Sequence, residues 1–329
     1  MEDPLHAPTI EEKLDRIVEM LRAIADDEPE TRRRLLELRS SAGYAEAFEA
    51  ADPLVSIVIP TYRSFESLRD VALPSALAQT HRNIEVLVVG DAAPPETAEV
   101  VARCGDDRVR FDNLPVRGPY PEDADRAWLV TGSPPYNAGV AAARGLWIAA
   151  LADDDAFTPE HVELLLGAAV ERKLEFVYSP LRAHTSYGRE VLVGEFPPRL
   201  GEFGLQGAIY HAGLSFMELN LADDVFDVPN DWSLCRRMLR AGVRMGMIDR
   251  PTVDYYPSYE WGRRPRPMQE RAARAASVDA AEQELALARA RIEDLERQLA
   301  VIVSSRSWRL TRPLRAAGRQ VRERRAAGS

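Results

Sequence analysis

The sequence predicts an α/β fold, a mostly parallel sheet covered by helices on both faces. Two uninterrupted apolar runs, Leu54 to Ile59 and Ile84 to Val89, read as strands. Parallel strands buried on both faces have that composition, whereas half-exposed strands alternate. Between the runs, Leu68, Val71, Leu73, Ala76 and Leu77 follow a helical spacing, and strands alternating with helices point to a parallel sheet. Polar groups also collect where the strands end: Pro60, Thr61 and Tyr62 after the first, Gly90 and Asp91 after the second, and Asp153 to Asp155 after a third apolar run, Leu146 to Ala152. Ligands of such sheets bind at the carboxyl ends of the strands.

Each element has its own signal. The third run is short and rich in large side chains, which suits a buried strand, although its alanines leave helix as a competing reading. Three adjacent carboxylates repel one another and raise one another's pKa values unless a cation or solvent relieves them. Hard oxygen ligands suit Mg²⁺ or Mn²⁺. A solvated turn before a helix starting at Thr158-Pro159-Glu160 is the plainer alternative. No Gly-rich phosphate loop follows the first strand, which argues against a Rossmann dinucleotide site and a Walker-type site. A nucleotide held through a metal fits these residues better.

The chain from about Pro53 to Tyr256 resembles a family 2 glycosyltransferase of the GT-A fold, whose sheet is Rossmann-like. Four segments carry the resemblance: Val55 to Tyr62; Val88-Val89-Gly90-Asp91; Asn137-Ala138-Gly139 with Ala143 to Ile148 and Asp153 to Asp155; and Asn230 to Met238. The resemblance implies an inverting transfer of sugar from a nucleoside-diphosphate donor, a UDP-sugar foremost, to a hydroxyl of a glycan or lipid-linked glycan. It implies Asp231 as catalytic base and Asp154 with Asp155 as ligands of Mn²⁺ or Mg²⁺. The nucleotide would meet Pro60, Thr61, Tyr62, Asp91, Asn137, Arg144 and Asp153. His211 and Trp232 are candidates for the acceptor or diphosphate.

Departures from the family pattern are visible. Position 90 is Gly and position 152 is Ala where relatives commonly carry Asp, Asn230 replaces a more usual Glu, and no His occurs in Val253 to Ser258. They give weight to an alternative, a catalytically silent GT-A-like scaffold that assembles through its helical ends. A nucleotidyltransferase-like enzyme has less support, since no Gly-rich, basic loop follows the first strand. Other side chains have plainer roles available. Asp231 would also serve as a helix N-cap, Arg144 as a surface salt-bridge partner, and His161, His184 and His211 as structural histidines. Trp128, in the long insert from Leu114 to Tyr136, would cover the donor or stack on a sugar.

The ends differ from the middle, giving five segments: helices over 1–50, a GT-A domain over 51–260, a linker over 261–277, a heptad helix over 278–303 and a basic tail over 304–329. Ile10, Leu14, Ile17, Leu21 and Ile24 make a short seam, and Glu30 to Arg39 a more polar helix. From Val278 to Ile302 apolar residues recur at three and four for more than three heptads, which predicts a coiled-coil-like helix and a homo-oligomer. Arg306, Arg309, Arg312, Arg315 and Arg319 then line a tail that also carries Trp308. Such a segment suits peripheral contact with an anionic membrane, with a solvated tail as the alternative. The chain has 329 residues and a net charge of −10, so wholesale nucleic-acid binding is not expected. No apolar run opens the sequence and none approaches the ~20 residues that span a bilayer. The active site is therefore expected in the cytoplasm, with the tail bringing it to the inner face of the plasma membrane. Cys104 and Cys235 show no metal spacing and read as buried free thiols.

Overall fold

The computed structural model describes residues 28–184, 190–226 and 228–256. All lie in the first of the two units into which the chain divides, 1–275 and 276–329. The linker, the heptad helix, the basic tail and the first seam therefore lie outside the described residues.

The strands are β1 (Val55–Thr61), β2 (Ile84–Gly90), β3 (Val109–Asn113), β4 (Trp147–Ala150), β5 (Ala156–Phe157), β6 (Phe176–Tyr178), β7 (Leu181–His184), β8 (Glu190–Val193), β9 (Ala208–His211), β10 (Met245–Met247) and β11 (Val253–Tyr255). Seven form the main sheet in the order β10-β6-β9-β4-β1-β2-β3. Its pairings are parallel except where β9 runs antiparallel between β4 and β6. A smaller sheet has the order β5-β11-β7-β8. The third apolar run is a strand and not a helix: all four residues of β4 are buried, as is all of β2.

Two cores explain those continuous runs, since alternate residues of one strand face opposite ways. Val58, Ile148, Phe176 and Tyr210 meet Leu35, Tyr136, Leu234 and Met238 on one face. Ile57, Ile59, Val86, Trp147 and Ile209 meet Phe48, Leu68, Ala76, Val101 and Leu165 on the other. The helical residues 28–40 (α1) and α2 (Ala42–Glu49) supply Leu35 and Phe48. The described N-terminal helices thus share the domain core, Leu35 on one face of the sheet and Phe48 on the other. Tryptophan 147 fixes the contact by donating from Nε1 to the Ala47 carbonyl at 2.9 Å.

After β1 come α3 (Phe65–Ser67), a π-helical stretch Leu68–Ala72 and α4 (Leu73–Leu77). Then follow α5 (Pro95–Cys104), α6 (Ala124–Val130), α7 (Ser133–Ala142), α8 (His161–Arg172) and α9 (Asn230–Ala241). Helix α7 lies close on β1 because residue 139 is glycine: a Cβ there would stand 2.4 Å from Cγ1 of Val58. Gly242, at φ 89°, closes α9 in the left-handed region that glycine enters without steric cost. Both cysteines are free; Cys235 is buried as expected, whereas Cys104 is half-exposed at the end of α5. Among the described residues no helix is long and apolar enough to cross a membrane.

Candidate active site at the carboxyl edge of the sheet

Register places the chemistry. β1 runs parallel to both neighbours, with Thr61 opposite Gly90 and Val58 opposite Ala150. The residues that follow these strands therefore emerge on one edge. The Asp91 amide donates to the Thr61 carbonyl at 2.8 Å, locking the two strand ends together.

The acidic triplet turns immediately after β4. Asp153 and Asp154 are half-buried and Asp155 is fully buried. Burial, then the charge of Asp154, pushes the Asp153 carboxyl up to about 7, against the pull of the nearby polar groups of Thr61, Ser64 and the Tyr62 backbone. The Asp155 carboxyl is also pushed well above the usual range, by burial first and then by Asp154. Its Oδ1 accepts from the Tyr256 amide at 2.9 Å, and its Oδ2 has no hydrogen-bond partner. A divalent cation would relieve the repulsion and the orphaned oxygen together, so the residues fit such an ion. Among the described residues no three His, Cys, Asp or Glu side chains gather into a ready cage.

Asp231 stands in the first turn of α9. Pro229, not Asp231, occupies the N-cap position. The Asp231 carboxylate accepts from the amides of Trp232 at 2.6 Å and Leu205 at 3.4 Å. Burial raises its pKa to about 6, against the pull of those amides. Asn230 donates to Ser133 Oγ at 2.7 Å, tying the start of α9 to the start of α7.

On the β2 side, Asp91 is buried and engaged with the insert: Oδ1 accepts from the Gly118 amide at 2.9 Å and Oδ2 from the Tyr120 hydroxyl at 2.6 Å. The Arg117 guanidinium lies 4.2 Å from the Tyr62 ring centre and 5.3 Å from that of Tyr120. Pro60 is half-buried beside Gly132. Sequence reasoning had the insert but not Arg117, Tyr120 or Tyr256. The basic-aromatic cluster Arg117-Gly118-Pro119-Tyr120 was the available signal.

Several expected site residues sit elsewhere. Arg144 precedes β4, at the opposite edge of the sheet. Its amide and Nε bond Glu85 at 2.7 and 2.9 Å. Glu85 also accepts from Ser56 and Arg110, and this network holds its carboxyl low although burial alone would raise it. Arg144 is therefore corrected from nucleotide contact to structural ion pair. His211 is corrected for a topological reason: β9 runs antiparallel, so its last residue pairs with Trp147, the first of β4. The imidazole stacks on Tyr44, accepts from the Gly213 amide at 2.9 Å, and reaches the Tyr44 carbonyl at 3.3 Å.

Asn137 faces Leu219, donating to its carbonyl at 2.8 Å and accepting from its amide at 3.0 Å. The side chain thereby clamps α7 to that segment through both its amide nitrogen and its oxygen. Trp232 belongs to the core; its Nε1 is buried without a hydrogen-bond partner. Direct contact with acceptor or diphosphate does not suit that position. His161 is buried against Phe157, bonded to Thr252 at 2.7 Å and pushed down to about 3 by burial, hence neutral and structural. His184 bonds Asp254 at 2.9 Å and stacks on Tyr256. Trp128 lies partly exposed on α6.

The residues at this edge from Thr61 to Tyr120 fall within a segment similar to known proteins. Residues 56–120, from β1 through Tyr120, match the family model "Glycosyl transferase family 2". That stretch of the chain is similar to family 2 glycosyltransferases. The chain is 36% identical over 117 residues to the succinoglycan biosynthesis protein ExoO of Rhizobium meliloti, covering 36% of this chain and 30% of that protein. It is 31% identical over 137 residues to an uncharacterized glycosyltransferase of Rickettsia felis, covering 41% of this chain and 19% of the relative. A crystal structure of S. aureus TarS 1-349 in complex with UDP-GlcNAc superposes with TM-score 0.48 at 17% identity, over 65% of this chain and 60% of that one. The chain thus matches less than a third of the length of these curated relatives.

Proposed function

We propose that this protein is an inverting glycosyltransferase that moves a sugar from a nucleoside-diphosphate sugar, a UDP-sugar, to an acceptor hydroxyl. The supporting observation is the gathering of Tyr62, Asp91 and the Asp153 to Asp155 triplet at one sheet edge, with Asp231 raised toward neutrality at the start of α9. The relative named for succinoglycan biosynthesis supports a glycan as acceptor, free or lipid-linked.

The residues divide the work. Tyr62 and Asp91 receive the nucleoside, and Thr61 with the Tyr62 amide steadies Asp153. Asp154, with Asp153 and Asp155, would hold Mn²⁺ or Mg²⁺. Such an ion, when bound, neutralises charge on the diphosphate oxygens. Asp231 accepts the proton of the acceptor hydroxyl as the new C–O bond forms at the anomeric carbon. The bond from that carbon to the diphosphate breaks in the same step, its electron pair leaving with the nucleoside diphosphate. A carboxylate with a pKa near 6 is ionised at neutral pH yet more basic than an exposed one, as a general base requires.

Calorimetric titration with UDP tests this reading. UDP should bind at least about tenfold more tightly with Mn²⁺ than with EDTA, a difference of about 1.4 kcal/mol, and Asp154→Ala should abolish the difference. Equal affinity in both conditions would overturn the metal role. Absence of UDP-sugar turnover despite binding would instead favour the silent scaffold. For the segments outside the described residues, we propose that the 278–303 repeat mediates self-association and the arginine-rich tail binds anionic membrane. Flotation with anionic vesicles should separate full-length protein from a chain truncated after Arg271, with the difference fading at high salt.

A further inference from the structure

A cleft beside the donor residues has no role in the reading above. It has a volume of about 480 Å³ and lies between the 119–126 insert and the 221–224 turn, lined by Pro119, Tyr120, Glu122, Asp123, Arg126 and Asp224 among others. A second hollow of about 330 Å³ shares Tyr120, Pro121 and Glu122 with it and extends to Arg117. Its two walls have different origins. Tyr120 is the residue whose hydroxyl holds Asp91, so one wall belongs to the donor side. The opposite turn leads within a few residues into Asn230 and Asp231 at the start of α9. An acceptor must lie between the donor and the base, and one wall of this cleft bonds Asp91 while the other packs on α9, which carries Asp231.

The lining chemistry narrows the occupant. Tyr120 and the two prolines offer carbon faces of the kind a sugar ring packs on, and carboxylates accept from sugar hydroxyls. Arg126 pairs with the buried Asp224, so its charge is already compensated. Glu122 and Asp123 are exposed on the rim; Asp123 also caps α6 by accepting from the amides of Asp125 and Arg126 at 3.1 and 3.0 Å. The net field of the cleft is therefore negative, and a polyanion entering it meets like charge.

We propose that this cleft is the acceptor subsite and that it selects a non-anionic glycan, favouring one with free amino groups over one with uronate carboxylates. The inference rests on the glycosyltransferase reading for the word acceptor, but not for the charge preference. Three probes test it on the full chain: trimers of glucosamine, N-acetylglucosamine and galacturonate, titrated at low ionic strength. The expected order of affinity is glucosamine, then N-acetylglucosamine, then galacturonate, with about tenfold or more between the extremes. Glu122→Lys should compress or invert that order. Glu171→Lys, the same charge change on exposed α8, should preserve it, and the melting-temperature rise caused by UDP should be unchanged in both variants. The proposal falls if galacturonate binds as well as glucosamine, if none of the trimers binds, or if Glu171→Lys acts like Glu122→Lys. If UDP raises no melting temperature while the trimers follow the expected order, the donor reading fails and the cleft assignment stands.

Discussion

The Tyr120 hydroxyl donates a 2.6 Å hydrogen bond to Oδ2 of Asp91, joining the insert to the end of β2 across 29 residues of sequence. The Gly118 amide holds the other oxygen. Asp91 thereby shapes the loop that brings Arg117 over Tyr62, and the function proposed above gives it a second role, contact with a nucleoside.

These two roles separate by mutation. Asp91→Ala should weaken UDP binding by about tenfold or more, as loss of a hydrogen bond to a charged group does. Tyr120→Phe should cost about 1 kcal/mol of stability and change UDP affinity by less than about threefold. Calorimetry and urea unfolding read both. Unchanged UDP affinity in Asp91→Ala would leave Asp91 as a loop anchor alone.

The pH profile should report Asp231. Its pKa is raised to about 6 by burial, so kcat/KM should rise with pH through that value as the carboxylate ionises. In Asp231→Asn the limb should vanish and turnover should fall by about 10²-fold or more, with UDP affinity retained. A variant that keeps the limb would move the base to another group.

Asp153 makes an opposite kind of prediction, for stability. Its folded pKa, about 7, lies above the unfolded value. The stability it contributes is therefore fully present below the unfolded value of about 3.9 and lost as pH rises through 7. In EDTA, Asp153→Asn should be more stable than the parent at pH 8 by about 1–2 kcal/mol, a figure discounted from the full shift because the group is half-exposed. At pH 4 the advantage should disappear. Equal stability at pH 8 would show that a neighbour already relieves the charge.

Arg39 and Glu175 hold α1 to β6 through paired bonds of 2.7 Å, and Tyr44 and the Arg244 amide complete the shell of the buried carboxylate at 2.7 and 2.8 Å. Burial by itself would raise the Glu175 pKa, yet these partners hold it below the usual value. Breaking a buried pair from one side costs about 3–5 kcal/mol. Arg39→Met should cost somewhat less, about 2–4 kcal/mol, because two other partners remain. A shift in urea midpoint corresponding to under about 0.5 kcal/mol would make the contact incidental.

The sequence by itself determined the strands β1, β2 and β4 and the polar groups at their ends. Continuous apolar runs and the residues after them are local properties, and parallel strands must release those residues on one edge. It also placed Asp231 at the start of an amphipathic helix, through helical periodicity and position in the family pattern. Only the tertiary structure decided the fate of Arg144, His211 and Asn137. Arg144 precedes β4, which runs parallel to β1, and so falls at the edge away from the acids; His211 ends β9, whose antiparallel direction brings it to that same edge. Strand direction is set by distant pairing, and no window of sequence around His211 contains it. Asn137 is bonded to Leu219, 82 residues away, and the N-terminal helices join the domain through Arg39 and Glu175, 136 residues apart. Such partners are chosen by three-dimensional packing, because a buried carboxylate or amide takes whichever donors the folded chain brings within reach.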